Sequence, residues 1–254
     1  MKPKHTLAAL SVAALTLAGT GFAADGQDDS WHFGVSVPLW APQINGNATV
    51  RGHQQDVDVS FSQLKDHLDA SFALGLDAHK GKFGLYGDVG YMKFSVGSGG
   101  VSDDLKFVVA DGGMSYQLVK TGEERPFILA ATAGVRFWGT WNKLTLRGPG
   151  GNLLFSGSGN QTLVDPVIGL RGSQYLARKL HLDFAGDFGG FDISNDTDWT
   201  WSASGVVTYD FLKWLSLSAG YRALALDESN GSGTSKNGVN LIFNGAVIVV
   251  RFQF

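Results

Sequence analysis

One segment of this sequence gathers the residue types that catalysis and metal binding use most. Carboxylates and imidazoles close together can hold a divalent cation or act as a general acid and base. Their spacing here matches no specific ligand motif, and a solvated loop would have the same composition. We therefore predict no catalytic residue, no metal and no cofactor at these positions: His53, Asp56, Asp58, Asp66, His67 and Asp69.

A second set of charged residues recurs at alternate positions within apolar segments. An unpaired charge in a confined interior costs several kcal/mol, so such residues must be paired or solvated. Two interpretations stay open: a network of ion pairs that fills the interior, or a charged pore with a preference for certain ions or solutes. The set comprises Asp77, Asp88, Asp111, Arg136, Asp165, Arg171, Asp183, Asp187, Arg222 and Arg251.

The elements that would position these charges have a period of two. In the last segment Ala246, Ile248, Val250, Phe252 and Phe254 fall on one face and polar or small residues on the other. Strict alternation is typical of a β-strand with one apolar face. The same pattern returns along the chain and predicts about ten strands, with eight or twelve as the alternatives.

The predicted connections alternate between short and long. The short ones are tight hairpin turns at 79–82, 120–125, 177–179 and 211–213, which indicates antiparallel neighbours. The long ones are more polar, and in several cases rich in glycine and serine, which is typical of loops. They cover residues 44–69, 96–104, 139–160, 193–198 and 227–238.

The composition of the two faces favours a membrane. The face opposite the apolar one carries glycine, serine, aspartate and arginine, whereas the outer face of a water-soluble sheet would carry many Lys, Glu and Thr. An apolar face against lipid requires a closed sheet. We predict an all-β, transmembrane, antiparallel up-and-down β-barrel over residues 24–254, with Trp40 and Trp138 among its interfacial aromatics. A soluble exported barrel that binds a small apolar ligand is an alternative.

The first residues have the pattern of a secretory signal peptide. Lys2 and Lys4 precede an apolar stretch, and small residues precede a cleavage point after Ala23. We therefore assign residues 1–23 to a signal peptide. The chain has no cysteine, which excludes disulfides and thiol chemistry. Its net charge of −3 argues against a nucleic-acid partner.

Together these features resemble the small Gram-negative outer-membrane β-barrel proteins of the OmpA and OmpW type. The resemblance implies an integral protein of the outer membrane, in contact with its lipid, whose short turns face the periplasm. It also implies that the last strand is recognised by the barrel assembly machinery through Ile248, Val250, Phe252 and Phe254. An architecture of this kind does not fix a function, and nothing in the sequence indicates an oligomeric state.

For function we predict a non-enzymatic protein. It would be either a narrow, porin-like passive channel for ions or small solutes, or a structural barrel with loops on the outside. The alternative is an outer-membrane enzyme that modifies lipid A or resembles the omptin proteases. An omptin would need Asp–Asp and Asp–His pairs on long strand extensions, for which only residues 53–69 offer candidates. Within that segment Ser62–Leu68 could form a short helix, capped by Ser62, that constricts the mouth.

Overall fold

The computed structural model of the chain describes residues 30–98, 101–147, 153–191 and 198–254. The predicted signal peptide, residues 1–23, lies outside them. The described chain is almost entirely strand. Its elements are β1 (His32–Val50), β2 (His53–Val59), α1 (Phe61–His67), β3 (Leu68–Lys80), β4 (Phe83–Ser98), β5 (Val101–Thr121), β6 (Phe127–Arg147), β7 (Leu153–Ala177), β8 (Leu180–Gly190), β9 (Trp199–Leu212), β10 (Leu215–Asn230), a 3₁₀ turn (Gly233–Ser235) and β11 (Asn237–Gln253).

The strands close into a barrel. Neighbours in the sheet follow the order β11 to β3, then β1 and β2, and β11 also pairs with β1. The closing pair runs antiparallel from Gly34↔Gln253 to Thr49↔Gly238. Among the described residues β2 pairs with β1 alone, as a hairpin arm beyond the wall, so the other ten strands form the barrel. The prediction of an antiparallel, up-and-down barrel of ten strands is confirmed.

The hairpin from β1 to β2 leads into the one α-helix of the described chain. Arg51 and Gly52 both have positive φ angles, of 50° and 77°, as a two-residue hairpin turn requires. The helix α1 is capped by Ser60, not by Ser62 as predicted, because Ser60 exchanges hydrogen bonds with Gln63 in a capping box. No residue of α1 is buried.

Most of the predicted long connections are strand, which corrects the sequence interpretation. Residues 139–160 were expected to form a loop, yet β6 continues to Arg147 and β7 begins at Leu153. Such extensions have polar residues on both faces, so they lack the alternation that marks a strand in the sequence, while their backbone pairing continues unbroken. Residues 99–100, 148–152 and 193–197 of the predicted connections lie outside the described residues. We refer to the two ends of the barrel as the short-turn end and the long-loop end.

An apolar belt surrounds the half of the barrel next to the short-turn end. Along β11, Ile248 faces outward and is 47% exposed, while Val247 faces inward and is 1% exposed. The outward apolar run on β11 covers residues 246–254 and that on β6 covers 127–137, which suits the roughly 9–11 residues of a tilted membrane-spanning strand. Exposed aromatics, among them Tyr209, Phe211 and Trp214, lie at the short-turn end. No helix within the described ranges has the length and apolar character needed to span a membrane.

Candidate functional site in the barrel interior

The ten charged residues predicted to line the interior lie on inward positions of the barrel strands. Five are buried and the other five are partly buried, so none faces open solvent. The structure brings most of them together into two groups at different heights in the barrel. The buried ones are Asp88, Arg136, Asp165, Arg222 and Arg251.

Arg136 is the centre of the larger group. Its guanidinium donates to both carboxylate oxygens of Asp111 on the neighbouring strand, at 2.8 and 3.1 Å. It also lies 2.9 Å from Oδ1 of Asp187, two strands away across β7. Its remaining terminal nitrogen donates to Thr200 at 3.2 Å. Arg136 is 1% exposed, and fork-shaped pairing of this kind is the arrangement that makes a buried guanidinium tolerable.

Tyr86 and Arg171 complete this level of the interior. The guanidinium of Arg171 lies 4.0 Å from the ring centre of Tyr86, a cation–π distance. Tyr86 reaches Arg171 by crossing two strands at Gly113 and Gly134, which are paired with each other. A Cβ on either glycine would lie 2.7 or 2.9 Å from the Tyr86 hydroxyl. The glycines are therefore needed for the close approach of the ring to the wall.

A separate ion pair lies nearer the short-turn end. Arg251 on β11 donates to both oxygens of Asp77 on β3, at 2.6 and 2.7 Å. The strand between them is β1, and the pair crosses it at Gly34, where an added Cβ would collide with both side chains. The pair therefore fixes the wall close to the seam where the barrel closes.

At the same end the structure adds a histidine that the sequence analysis did not single out. Nδ1 of the buried His181 lies 2.9 Å from Asp183, whose carboxylate also accepts hydrogen bonds from Ser173 and Thr208, each at 2.5 Å. Tyr175 stacks on the His181 ring, with centroids 4.7 Å apart. The hydroxyl groups donate to the Asp183 carboxylate, and these hydrogen bonds hold the side chains of Asp183 and His181 in place. The alternation His181–Leu182–Asp183 was the sequence signal for this contact.

A small cavity lies at this charged level of the interior. We call Asp88, Asp111, Arg136, Asp187 and Arg222 the charged layer. The cavity they line measures about 40 Å³. Since one water needs roughly 10–15 Å³ of such volume, the space suits a few water molecules and no hydrated ion.

Above the charged layer, toward the long-loop end, the interior is apolar. Trp40, Phe107, Trp138 and Phe243, which we call the aromatic layer, are all buried. The prediction that Trp40 and Trp138 belong to an outer interfacial girdle is wrong, because both face inward and are 0% and 2% exposed. Parity along the strand was the available signal, since Trp138 shares its face with Arg136. The guanidinium of Arg222 lies 5.6 Å from the Trp40 ring and joins the two layers.

The histidines and acids of residues 53–69 are not gathered into a site. Their positions on β2 and α1 are exposed or partly exposed, and Asp58 accepts a hydrogen bond from Asn45 at 2.9 Å. Asp69, which lies beyond the apolar belt, contacts Ser95 and Lys93, and the Ser95 hydrogen bond and then Lys93 lower its pKa. Across the described ranges there is no group of three or more His, Asp or Glu side chains arranged to hold a metal.

Solved structures with a similar fold are outer-membrane barrels. The outer-membrane protease OmpT from Escherichia coli matches with a TM-score of 0.51 at 10% identity, over 90% of this chain and 98% of that chain. Ail, the attachment invasion locus protein of Yersinia pestis, matches with a TM-score of 0.37 at 11% identity, over 89% and 99% of the two chains. No protein-family model matches the sequence, and no curated protein matches it. At this identity the comparisons show the fold alone, which is that of outer-membrane β-barrels.

Proposed function

We propose that this chain is a non-enzymatic barrel of the Gram-negative outer membrane whose lumen is closed. Of the two predicted forms, channel and structural barrel, the geometry supports the structural barrel. The observation that carries this proposal is the cavity of about 40 Å³ left within the charged layer. The barrel would hold its strand extensions beyond the membrane and leave no path for solutes through the interior.

Two further features support closure. The aromatic layer lies directly above the charged layer, so a solute would have to displace two packed levels of unlike chemistry. Arg136 and Arg222 are 1% and 2% exposed, and Trp40 and Trp138 are 0% and 2% exposed. Opening either level would separate buried ion pairs or expose aromatic surface, and both changes carry a large free-energy cost.

Single-channel recording on refolded protein in planar bilayers tests the proposal. The wild type is expected to give no discrete openings, with insertion verified by co-flotation with lipid vesicles. Trp40→Ala combined with Trp138→Ala removes the largest side chains of the aromatic layer, and Trp31→Ala combined with Trp214→Ala is the control on exposed positions. Discrete openings of the wild-type protein would overturn closure. A change in their size in the Trp40 and Trp138 variant, but not in the control, would assign the conducting path to the aromatic layer.

The non-enzymatic part of the proposal has its own test. The refolded protein in lipid vesicles is incubated with a mixed peptide library and with lipopolysaccharide, and the products are followed by mass spectrometry. We expect no turnover above that of empty vesicles. A turnover that disappears in Asp58→Asn or His67→Gln would contradict the proposal and assign the first long connection to an active site.

A further inference from the structure

A larger cavity opens at the long-loop end, on top of the aromatic layer. Its volume is about 400 Å³, ten times that of the space within the charged layer. Small-molecule sites in proteins are typically concavities of roughly 300–1,000 Å³ with mostly apolar walls. We call this cavity the cup.

The floor of the cup is a platform of three rings. Phe107 and Phe243 stack with centroids 5.5 Å apart and an interplanar angle of 22°. Trp138 lies 5.8 Å from Phe107 and 6.4 Å from Phe243. All three are at most 9% exposed, so each ring is held in place by its neighbours. A fixed aromatic platform offers a face against which a flat apolar body can pack.

The walls of the cup add apolar side chains to those of the floor. Leu163 and Leu226 are buried beside the rings, and Leu105 is 39% exposed although it lies beyond the apolar belt. Concave apolar surface that faces water is typical of binding sites. The leucines and the rings together give the cup an apolar lining.

The rim of the cup is polar and carries a single charge. Thr140, Asn142, Asn160 and Gln161 offer neutral hydrogen-bonding groups, and Glu228 is the one ionisable side chain lining the described cavity. Gln161 donates to Glu228 at 2.5 Å, which joins β7 to β10 across the rim. A carboxylate only accepts hydrogen bonds. The rim therefore favours a ligand group that donates them and disfavours an anion.

From this arrangement we propose that the cup binds one small amphiphile. Its body is apolar and flat, of one or two rings, and packs on Phe107, Trp138 and Phe243. Its head is an amino or hydroxyl group that donates to Glu228 at the rim. The site has the aromatic layer as its floor and lies above the charged layer, so binding there does not require an open lumen.

Three soluble compounds with one body and different heads test the proposal. Tryptamine, indole and indole-3-acetate are titrated by calorimetry into the whole barrel, residues 24–254, in lipid nanodiscs, and the signal of empty nanodiscs is subtracted. The expected result is saturable binding of one tryptamine per barrel, weaker binding of indole, and weakest binding of indole-3-acetate. Equal heats with and without the protein, or preference for the acetate, would overturn the proposal.

Two variants locate the binding. Leu241→Trp fills the cup, and Ile242→Trp, on the opposite face of the same strand, is its control. We expect the first to weaken tryptamine binding at least about tenfold and the second to leave it unchanged. Folding of both is verified by circular dichroism and by gel mobility with and without heating. Unchanged binding in a folded Leu241→Trp variant would place the ligand elsewhere and overturn the proposal.

A third variant tests the rim separately from the packing. Glu228→Gln keeps the size of the side chain and removes its charge, and Glu124→Gln in the short turn before β6 is the control. Loss of a hydrogen bond to a charged group is expected to weaken the binding of tryptamine about tenfold, while the affinity for indole stays the same. An equal loss for both compounds would contradict the role assigned to Glu228.

Discussion

The charged layer and the aromatic layer fill two levels of the same lumen with opposite kinds of chemistry. In the charged layer Arg136 depends on particular partners, Asp111 on one neighbouring strand and Asp187 two strands away. In the aromatic layer Phe107, Trp138 and Phe243 pack without directional bonds. Residues that are buried to a similar extent in the two layers therefore differ in how well they tolerate substitution. A buried ion that loses its partner carries a high free-energy cost, whereas an apolar side chain can be replaced by another of similar volume.

Removal of the central cation should break the charged layer and have the largest effect. Arg136→Met leaves the partly buried carboxylates of Asp111 and Asp187 without the cation that pairs with both. We expect a loss of about 3–5 kcal/mol in the free energy of unfolding, measured by urea titration in detergent micelles. The control, Arg125→Met in the exposed short turn, should change it by no more than about 0.5 kcal/mol. Equal effects in the two variants would show that the charged layer does not stabilise the barrel.

A smaller effect is expected where an ion pair is disturbed without removing a charge. Gly34→Ala places a Cβ against both Asp77 and Arg251. Overpacking of this kind costs about 1–3 kcal/mol, to be measured in the same titration. Gly205→Ala is a matched control, since a Cβ there meets nothing within 4 Å. The steric account fails if both alanine variants unfold at the same urea concentration.

The smallest effect is expected for a substitution that conserves volume beside the aromatic layer. Leu224 is 0% exposed and packs in the same cluster as Trp138. Leu224→Met conserves volume and should cost less than about 1.5 kcal/mol. Arg222→Met, two residues earlier on the same inward face, should cost clearly more because it removes a buried charge. If the two variants lose the same free energy, the proposed difference in tolerance between the layers is wrong.

Much of the barrel could be predicted from local alternation. A period of two assigns Arg136 and Arg222 to the inner face and Ile248 to the outer face, and the structure places all three residues on those faces. The same parity places Trp138 inside. The sequence interpretation missed this because an aromatic at the end of an apolar strand is also typical of an interfacial girdle.

The partners of the charged residues could not be predicted in the same way. Asp77 meets Arg251 across the intervening strand β1, and Arg136 meets Asp187 across β7. Such contacts depend on how far each strand is staggered against the next around the whole barrel, which no single segment encodes. The cup was missed for a related reason, since its lining comes from extensions such as 139–147 that have no apolar alternation.

The seam between the first and last strands has a consequence for how the chain folds. Trp40 donates to the carbonyl of Gly245, 205 residues away, and contacts of such sequence separation form late. Until β11 arrives, Arg251 cannot meet Asp77, and the interior is open to water. Closure of the wall by β11 and burial of the Arg251–Asp77 ion pair therefore occur together, and a chain without its last strand would lack both.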